Sequence, residues 1–166
     1  MTSRNCMIVC ADTTLAQQVA RILATRKHAM LLSLGDYMQY TMGRTPEEVV
    51  ELAGRPYFNK LHAQCVGSLA EYENTIIAAS VELVLNPAHI GRAIGLQTVL
   101  LDLPQAETKR AVDAFAVRHP QISHQSKHAL VQEFLHWKTR ADHVIAVRPQ
   151  DTAEGLAKEI YGKIRH

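Results

Sequence analysis

Residues 6–17 read CMIVCADTTLAQ, and they combine an apolar run, a short polar turn and the beginning of an amphipathic segment. The apolar run at residues 6–11 predicts a buried strand, because strands covered on both faces contain few polar residues. Asp12 and the two threonines after it predict a turn or a helix cap. Beyond them, apolar residues recur at helical spacing at Leu15, Val19, Ile22 and Leu23. The segment therefore predicts a strand followed closely by a helix.

The pattern of strand and helix recurs along the rest of the chain. Short apolar runs predict four further strands, at residues 30–34, 75–79, 97–103 and 143–147. Helical spacing and helix-start signals predict helices at residues 36–42, 45–54, 57–72, 105–118, 127–139 and 152–164, with a short one from Asn86. Alternating elements of this kind predict an α/β fold, namely a three-layer α/β/α sandwich with a five-stranded parallel sheet.

The size and composition of the chain predict a single globular domain over residues 1–166. The chain has 166 residues, of which 47% are hydrophobic and 20% charged, as in ordinary soluble domains. A net charge of +2 is too small to favour nucleic acid or an anionic membrane as a partner. We recognise no signal peptide and no apolar run of membrane-spanning length. The three cysteines lack metal-site spacing and predict reduced thiols in a cytoplasmic protein.

Several segments, in order along the chain, resemble the shikimate kinase family. Residues 18–24 resemble the family's first helix, and Gly43 precedes Gly54 at the family's spacing. Gly54 and Phe58 resemble the ends of its G-E-x-x-F segment, and residues 141–145 resemble its A-D strand entry. The resemblance covers nearly the whole chain. It implies a P-loop NTPase fold of the shikimate and nucleoside monophosphate kinase type, with a small-molecule acceptor and Mg-ATP.

The resemblance places a Walker A phosphate loop, G-x-x-G-x-G-K-[ST], on residues 10–17. This segment has no glycine, Ala16 stands in place of the lysine, and Gln17 stands in place of the serine or threonine. Glycines let successive N–H groups surround a phosphate, and the lysine supplies positive charge. Asp12 brings a negative charge instead. We therefore expect a degenerate phosphate loop, without a bound cofactor, at Asp12, Thr13, Thr14, Ala16 and Gln17.

The residues that bind the acceptor in this family also fall on replaced positions. The D-x-D pair falls on residues 33–35, and Asp36 lies one residue late, so that a local slip in register could restore one carboxylate. The substrate arginine falls on Asn59, the following acid on His62, and the triple glycine on residues 80–82. Loss of the arginine removes a bidentate clamp for the carboxylate of shikimate.

We predict a small-molecule pocket at the carboxyl ends of the strands, where ligands bind in parallel sheets. Arg118 is included because it could replace a lid arginine. The predicted pocket consists of Asp36, Arg55, Asn59, His62, Ser80, Glu82 and Arg118. The alternative is that these residues are solvated polar groups at strand ends. No catalytic residue and no metal ligand is predicted.

Three other features of the sequence each allow two interpretations. His119, His124 and His128 form either a metal site or a set of surface histidines. Cys10 is either a buried inert thiol or a thiol activated by a helix N-terminus. Tyr40 and its aromatic neighbours either pack around the pocket or provide a stacking surface for a ligand.

The sequence therefore supports two classes of function. The first is a catalytically inactive pseudoenzyme that binds a small polar metabolite or a protein partner and needs no cofactor. The second is a small-molecule kinase with strongly altered sites, which would require Mg-ATP. The coordinated replacements favour the first class, and the retained scaffold spacing favours the second. Neither class is expected to bind nucleic acid or membranes.

Overall fold

The structure is a computed structural model that describes residues 5–89, 93, 95–120 and 127–164. The strands in this part of the chain are β1 (Cys6–Val9), β2 (Met30–Ser33), β3 (Thr75–Ala79), β4 (Gln97–Asp102) and β5 (His143–Ala146). The helices are α1 (Thr13–Lys27), α2 (Leu34–Met42), α3 (Pro46–Ala53), α4 (Arg55–Ser68), α5 (Val81–Val84), α6 (Gln105–Arg118), α7 (Lys127–Arg140) and α8 (Ala153–Lys163). A 3₁₀ turn, Leu69–Glu71, follows α4.

The five strands form one sheet in the order β2-β3-β1-β4-β5, and every pairing is parallel. β1 is the central strand, and its Val9 is in register with Ala79 of β3 and Leu100 of β4. All residues of β1 and β3 are buried, as expected for strands that are covered on both faces. The predicted α/β fold with a five-stranded parallel sheet is confirmed.

The hydrophobic core continues from the sheet into the helices that pack on it. The largest fully buried helical side chains include Phe58 of α4, Leu23 of α1 and Met38 of α2. Trp137 of α7 is 2% exposed, and its indole N–H donates to His89 Nε2 at 2.9 Å. This hydrogen bond allows the large indole to be buried without leaving its donor unpaired.

Helix α3 begins where the sequence predicts it, because Thr45, Pro46 and Glu48 form a complete start signal. The Thr45 hydroxyl accepts from Glu48 N at 3.2 Å, and the Glu48 carboxylate accepts from Thr45 N at 3.2 Å. This reciprocal pair is a capping box, and proline fits the first helical position. Gly54 ends α3 with a φ of +87°, a conformation that side chains resist, and α4 begins at the next residue.

Helix α2 begins earlier than predicted. Leu34 and Gly35 were expected to end the second strand, but β2 ends at Ser33 and both residues belong to α2. The physical reason is that Leu34 and Met38 are both fully buried and lie one helical turn apart. In a helix the two side chains lie one above the other, about 6 Å apart along the axis, and pack at one place in the core, whereas in an extended strand they would be about 13 Å apart.

Helix α4 also has different bounds from those predicted, because it spans Arg55–Ser68 and the 3₁₀ turn carries the chain onward. The short helix predicted from Asn86 partly lies outside the described residues, and α5 precedes it. None of the helices in the described ranges is both long enough and apolar enough to cross a membrane.

Candidate functional site

The candidate site is built where β1, β3 and β4 end, at the carboxyl edge of the sheet. Three residues, 10–12, connect β1 to α1, and Ser80 alone connects β3 to α5. Short connections at this edge bring the N-termini of α1 and α5 close together. Ligands bind at this edge in open parallel sheets, so the side chains that meet here are the ones to consider.

Asp12 caps the N-terminus of α1. Its Oδ1 accepts from Leu15 N at 3.1 Å, and its carbonyl accepts from Ala16 N at 3.0 Å. Residues 13–17, which the resemblance assigns to a phosphate loop, therefore form the first turn of a regular helix. Ala16 is 1% exposed, so the position assigned to the lysine faces the core.

Ser80 ties the start of α1 to the end of β3. Its hydroxyl donates to the carbonyl of Ala11 at 2.9 Å and accepts from the Thr13 hydroxyl at 3.0 Å. Its N–H donates to Glu82 Oε1 at 3.0 Å. Thr13, Ser80 and Glu82 are thus joined in one string of hydrogen bonds across the site.

His62 continues this string from α4. The side chain is completely buried, and its Nε2–H donates to the carbonyl of Glu82 at 2.8 Å. Burial lowers the pKa of His62 to about 4, because a charged imidazolium is unfavourable away from water. The ring is therefore neutral at pH 7, and no donor among the described residues forms a hydrogen bond with its buried Nδ1.

Glu82 is half-buried, and burial raises the pKa of its carboxyl group. The hydrogen bond from Ser80 N acts in the opposite direction, and the negative charge of Asp36 raises the pKa further. Gly35 lies beside Glu82, since a Cβ at Gly35 would be 3.9 Å from Glu82 Cδ. Asp36 and Glu82 therefore concentrate negative charge at the start of α2.

Arg55 and Asn59 extend the site along α4. Arg55 Nη2 donates to the carbonyl of Leu85 at 2.7 Å, and its guanidinium lies over the Phe58 ring at 5.2 Å from the ring centroid. The carbonyl of Asn59 accepts from Asn86 Nδ2 at 3.1 Å. The structure thus brings Arg55, Asn59 and His62 to one face of α4, next to the segment after β3.

Arg118 is the last residue of α6. It lines a cleft of about 350 Å³ together with Asp12, Thr13, Glu107 and Arg110. The reason is that α6 runs beyond the end of β4 and faces the N-terminus of α1. Arg118 is the one member of the predicted pocket among the described residues that line this cleft, and the cleft adjoins the pocket through the hydrogen bond between Thr13 and Ser80.

A contact between Glu47 and His119 is the part of the site that sequence reasoning missed. Glu47 Oε1 in the first turn of α3 accepts a hydrogen bond from His119 Nδ1 at the end of α6, and the His119 ring packs against Phe115 at an interplanar angle of 37°. The sequence marks Glu47 only as an acid in a helix start, and nothing in it pairs residues so distant along the chain.

The predicted metal alternative gains no support from the described residues, since no three histidine, cysteine or acidic side chains among them converge. His119 binds Glu47, His128 is exposed, and His124 lies outside the described residues. Burial raises the pKa of Cys10 to about 12, which agrees with an inert thiol rather than an activated one.

Asp36 itself lines a second cleft, of about 560 Å³, between α2 and α3. Tyr40, Arg44 and Glu48 line it too. Asp36 thus lines this cleft and also acts electrostatically on Glu82.

Comparison with solved structures identifies similar folds. Shikimate kinase from Acinetobacter baumannii, in complex with shikimate, has a TM-score of 0.70 and 15% identity, over 94% of this chain and 90% of that one. Shikimate kinase from Aquifex aeolicus has a TM-score of 0.69 and 19% identity, over 94% of this chain and 93% of that one. APS kinase from Mycobacterium tuberculosis has a TM-score of 0.55 and 13% identity, over 98% of both chains.

No protein-family model and no curated protein matches the sequence. Identities of this size show similarity of fold alone, because one fold hosts many functions. The chain has a shikimate kinase-like α/β fold, shared with other P-loop kinases.

Proposed function

We propose that this protein is a catalytically inactive member of the shikimate kinase-like fold that binds a small polar molecule on its acceptor side. The observation that carries the proposal is the cap on α1. The Asp12 carboxylate accepts from Leu15 N at 3.1 Å and so takes the place that an anion would take at a helix N-terminus. A phosphate group there would meet a negative charge.

Two further features of α1 support the same conclusion. Ala16 is 1% exposed, so a cation at that position would point into the core instead of toward a nucleotide. Thr13 already donates its hydroxyl to Ser80 at 3.0 Å. The residues of this turn fit Mg-ATP poorly, since none of residues 12–17 is a cation that could hold the phosphates and Asp12 adds a negative charge.

The acceptor side supports binding of a ligand other than shikimate. Asn59 replaces the arginine expected from the resemblance, and the half-buried Glu82 together with the exposed Asp36 places two acidic side chains in this region. A carboxylate ligand would lose its bidentate partner and be repelled. A non-catalytic protein could equally use this surface to bind a protein partner.

Thermal unfolding with Mg-ATP, Mg-ADP and shikimate, each at millimolar concentration, tests the proposal. A site of micromolar affinity at a thousandfold excess of ligand would stabilise the protein by about 4 kcal/mol, or roughly 10 °C. We expect shifts no larger than those with magnesium chloride and sodium phosphate, which control for ionic effects. A nucleotide shift of the larger size would contradict the proposal.

A second candidate is a small-molecule kinase with an altered nucleotide site. The observation that favours it is the cleft of about 350 Å³ at the end of β4, where Arg110 and Arg118 both line the walls. Arginines can bind phosphates bidentately. Under this alternative, Mg-ATP should stabilise the protein, and the variant Arg110→Gln should remove that stabilisation, whereas Arg21→Gln on α1 should not.

A further inference from the structure

The cleft between α2 and α3 has a volume of about 560 Å³ and contains charges that do not cancel. Arg44 Nη1 lies 3.8 Å from Glu48 Oε2, so these two residues offset each other. The other oxygen of Glu48 accepts from Thr45 N at 3.2 Å as part of the capping box. Among the described residues of the cleft wall, the remaining charged one is Asp36.

Asp36 is exposed and makes no hydrogen bond or ion pair within the part of the chain that the structure describes. Its neighbourhood adds negative charge, because Glu82 packs against Gly35 directly before it. Glu47, another acid of α3, accepts a hydrogen bond from His119 and does not line the cleft. An unpaired carboxylate attracts cations and repels anions.

Tyr40 gives the cleft an apolar wall. It lies four residues after Asp36 on α2, so both side chains are on the same side of the helix. Tyr40 is 87% exposed, whereas Tyr37, on the same helix, is partly buried and hydrogen-bonded to Ser68 at 2.5 Å. Tyr40 therefore does not pack on the fold, and its ring face is available to a ligand.

We propose that this cleft binds a small organic ammonium ion, with the Asp36 carboxylate as its counter-ion and the Tyr40 ring stacked against its alkyl or methyl groups. An aromatic face and a carboxylate together favour a cation with an apolar shell, because the ring quadrupole attracts the charge. This inference rests on the proposed function and specifies the chemical class of the ligand.

Titration with choline chloride, followed by amide chemical shifts of α2 and α3, tests the inference. The neutral isostere 3,3-dimethylbutan-1-ol has the same shape without the charge. We expect choline to bind at least about tenfold more tightly than the alcohol, which corresponds to about 1.4 kcal/mol. Asp36→Asn should remove this preference, and Tyr40→Leu should weaken choline binding by about tenfold.

Matched controls separate the cleft from general surface effects. Glu51→Gln removes an exposed carboxylate of α3, and Tyr57→Leu removes an exposed tyrosine of α4, and neither residue lines the cleft. Both variants should bind choline as the unchanged protein does. Equal affinity for choline and the alcohol, unchanged binding by Asp36→Asn, or no binding of choline would each overturn the inference. Stabilisation by Mg-ATP would instead overturn the proposed function, so the two failures are distinguishable.

Discussion

His62 has an environment that differs strongly from that of an exposed histidine. It is completely buried, it donates to the carbonyl of Glu82 at 2.8 Å, and its pKa is lowered to about 4 by burial. In the unfolded chain the imidazole titrates near its ordinary pKa of 6.5. Between these two values, the unfolded state takes up a proton that the folded state does not bind.

The folded protein should therefore lose stability as the pH falls below about 6.5. From the two pKa values, His62 alone should lower the free energy of unfolding by about 2 kcal/mol between pH 7.5 and pH 5. His89 should add to the loss, because burial lowers its pKa as well. Urea unfolding measured across this pH range gives the slope directly.

The variant His62→Gln isolates the contribution of this residue, because glutamine does not titrate and can still donate a hydrogen bond to Glu82. Between pH 7.5 and pH 5, the free energy of unfolding of this variant should fall by about 2 kcal/mol less than that of the wild-type protein, whatever the stability of the variant at pH 7.5. His136→Gln is the matched control, since the His136 side chain is 62% exposed. An unchanged slope in His62→Gln would contradict the buried neutral state.

At the scale of the secondary-structure element, the N-terminus of α1 depends on a single side chain. The Asp12 carboxylate supplies the acceptor for Leu15 N, and the first turn contains no other acid. The variant Asp12→Ala should lower the free energy of unfolding by about 1 kcal/mol, the usual effect of removing a helix cap. Urea unfolding at pH 7.5 measures this change.

Asp12→Ser is the control for this prediction, because a serine hydroxyl can accept the same hydrogen bond. Its stability should stay within about 0.5 kcal/mol of the unchanged protein. If Asp12→Ala and Asp12→Ser lowered the free energy of unfolding equally, the side-chain cap would not be what stabilises the N-terminus of α1.

The elements that the sequence predicted best carry their signals locally. The buried strand β3 and the helix α6 were predicted with the observed bounds, and α3 was predicted from its cap residues. The start of α2 was missed because Leu34 and Gly35 continue an apolar run, and the packing of Leu34 against the core decides their conformation. Local patterns do not contain that information.

The site was less accessible to prediction for a related reason. Parallel topology indicates which segments reach the carboxyl edge, and it predicted the segment of Ser80 and Glu82, whereas His62 was predicted from the family resemblance. Topology does not indicate that Ser80 N would bind the Glu82 side chain or that Glu47 would bind His119. Such pairs depend on side-chain directions that are set only when distant elements pack.

For the whole molecule, Asn5 connects parts of the chain that are distant in sequence. Its Oδ1 accepts from Thr75 N at 3.1 Å, and its Nδ2 donates to the carbonyl of Leu69 at 3.1 Å and to that of Tyr72. Its own carbonyl accepts from Gln97 N at 2.8 Å. One buried residue thus joins the entrances of β1, β3 and β4, the three central strands.

Loss of the Asn5 side chain should therefore weaken the entire sheet together. Asn5→Ala removes the side-chain acceptor of the buried Thr75 N–H and one donor from each of the carbonyls of Leu69 and Tyr72, and we expect the free energy of unfolding to fall by about 3 kcal/mol. Trp137 fluorescence reports on α7, and far-UV circular dichroism reports on all helices. If the chain is one cooperative domain, both signals should shift to the same lower denaturant midpoint. Gln18→Ala is the control, because it removes an exposed amide of α1 and should change neither midpoint. Two separated transitions in Asn5→Ala would show that the central strands do not unfold as a unit.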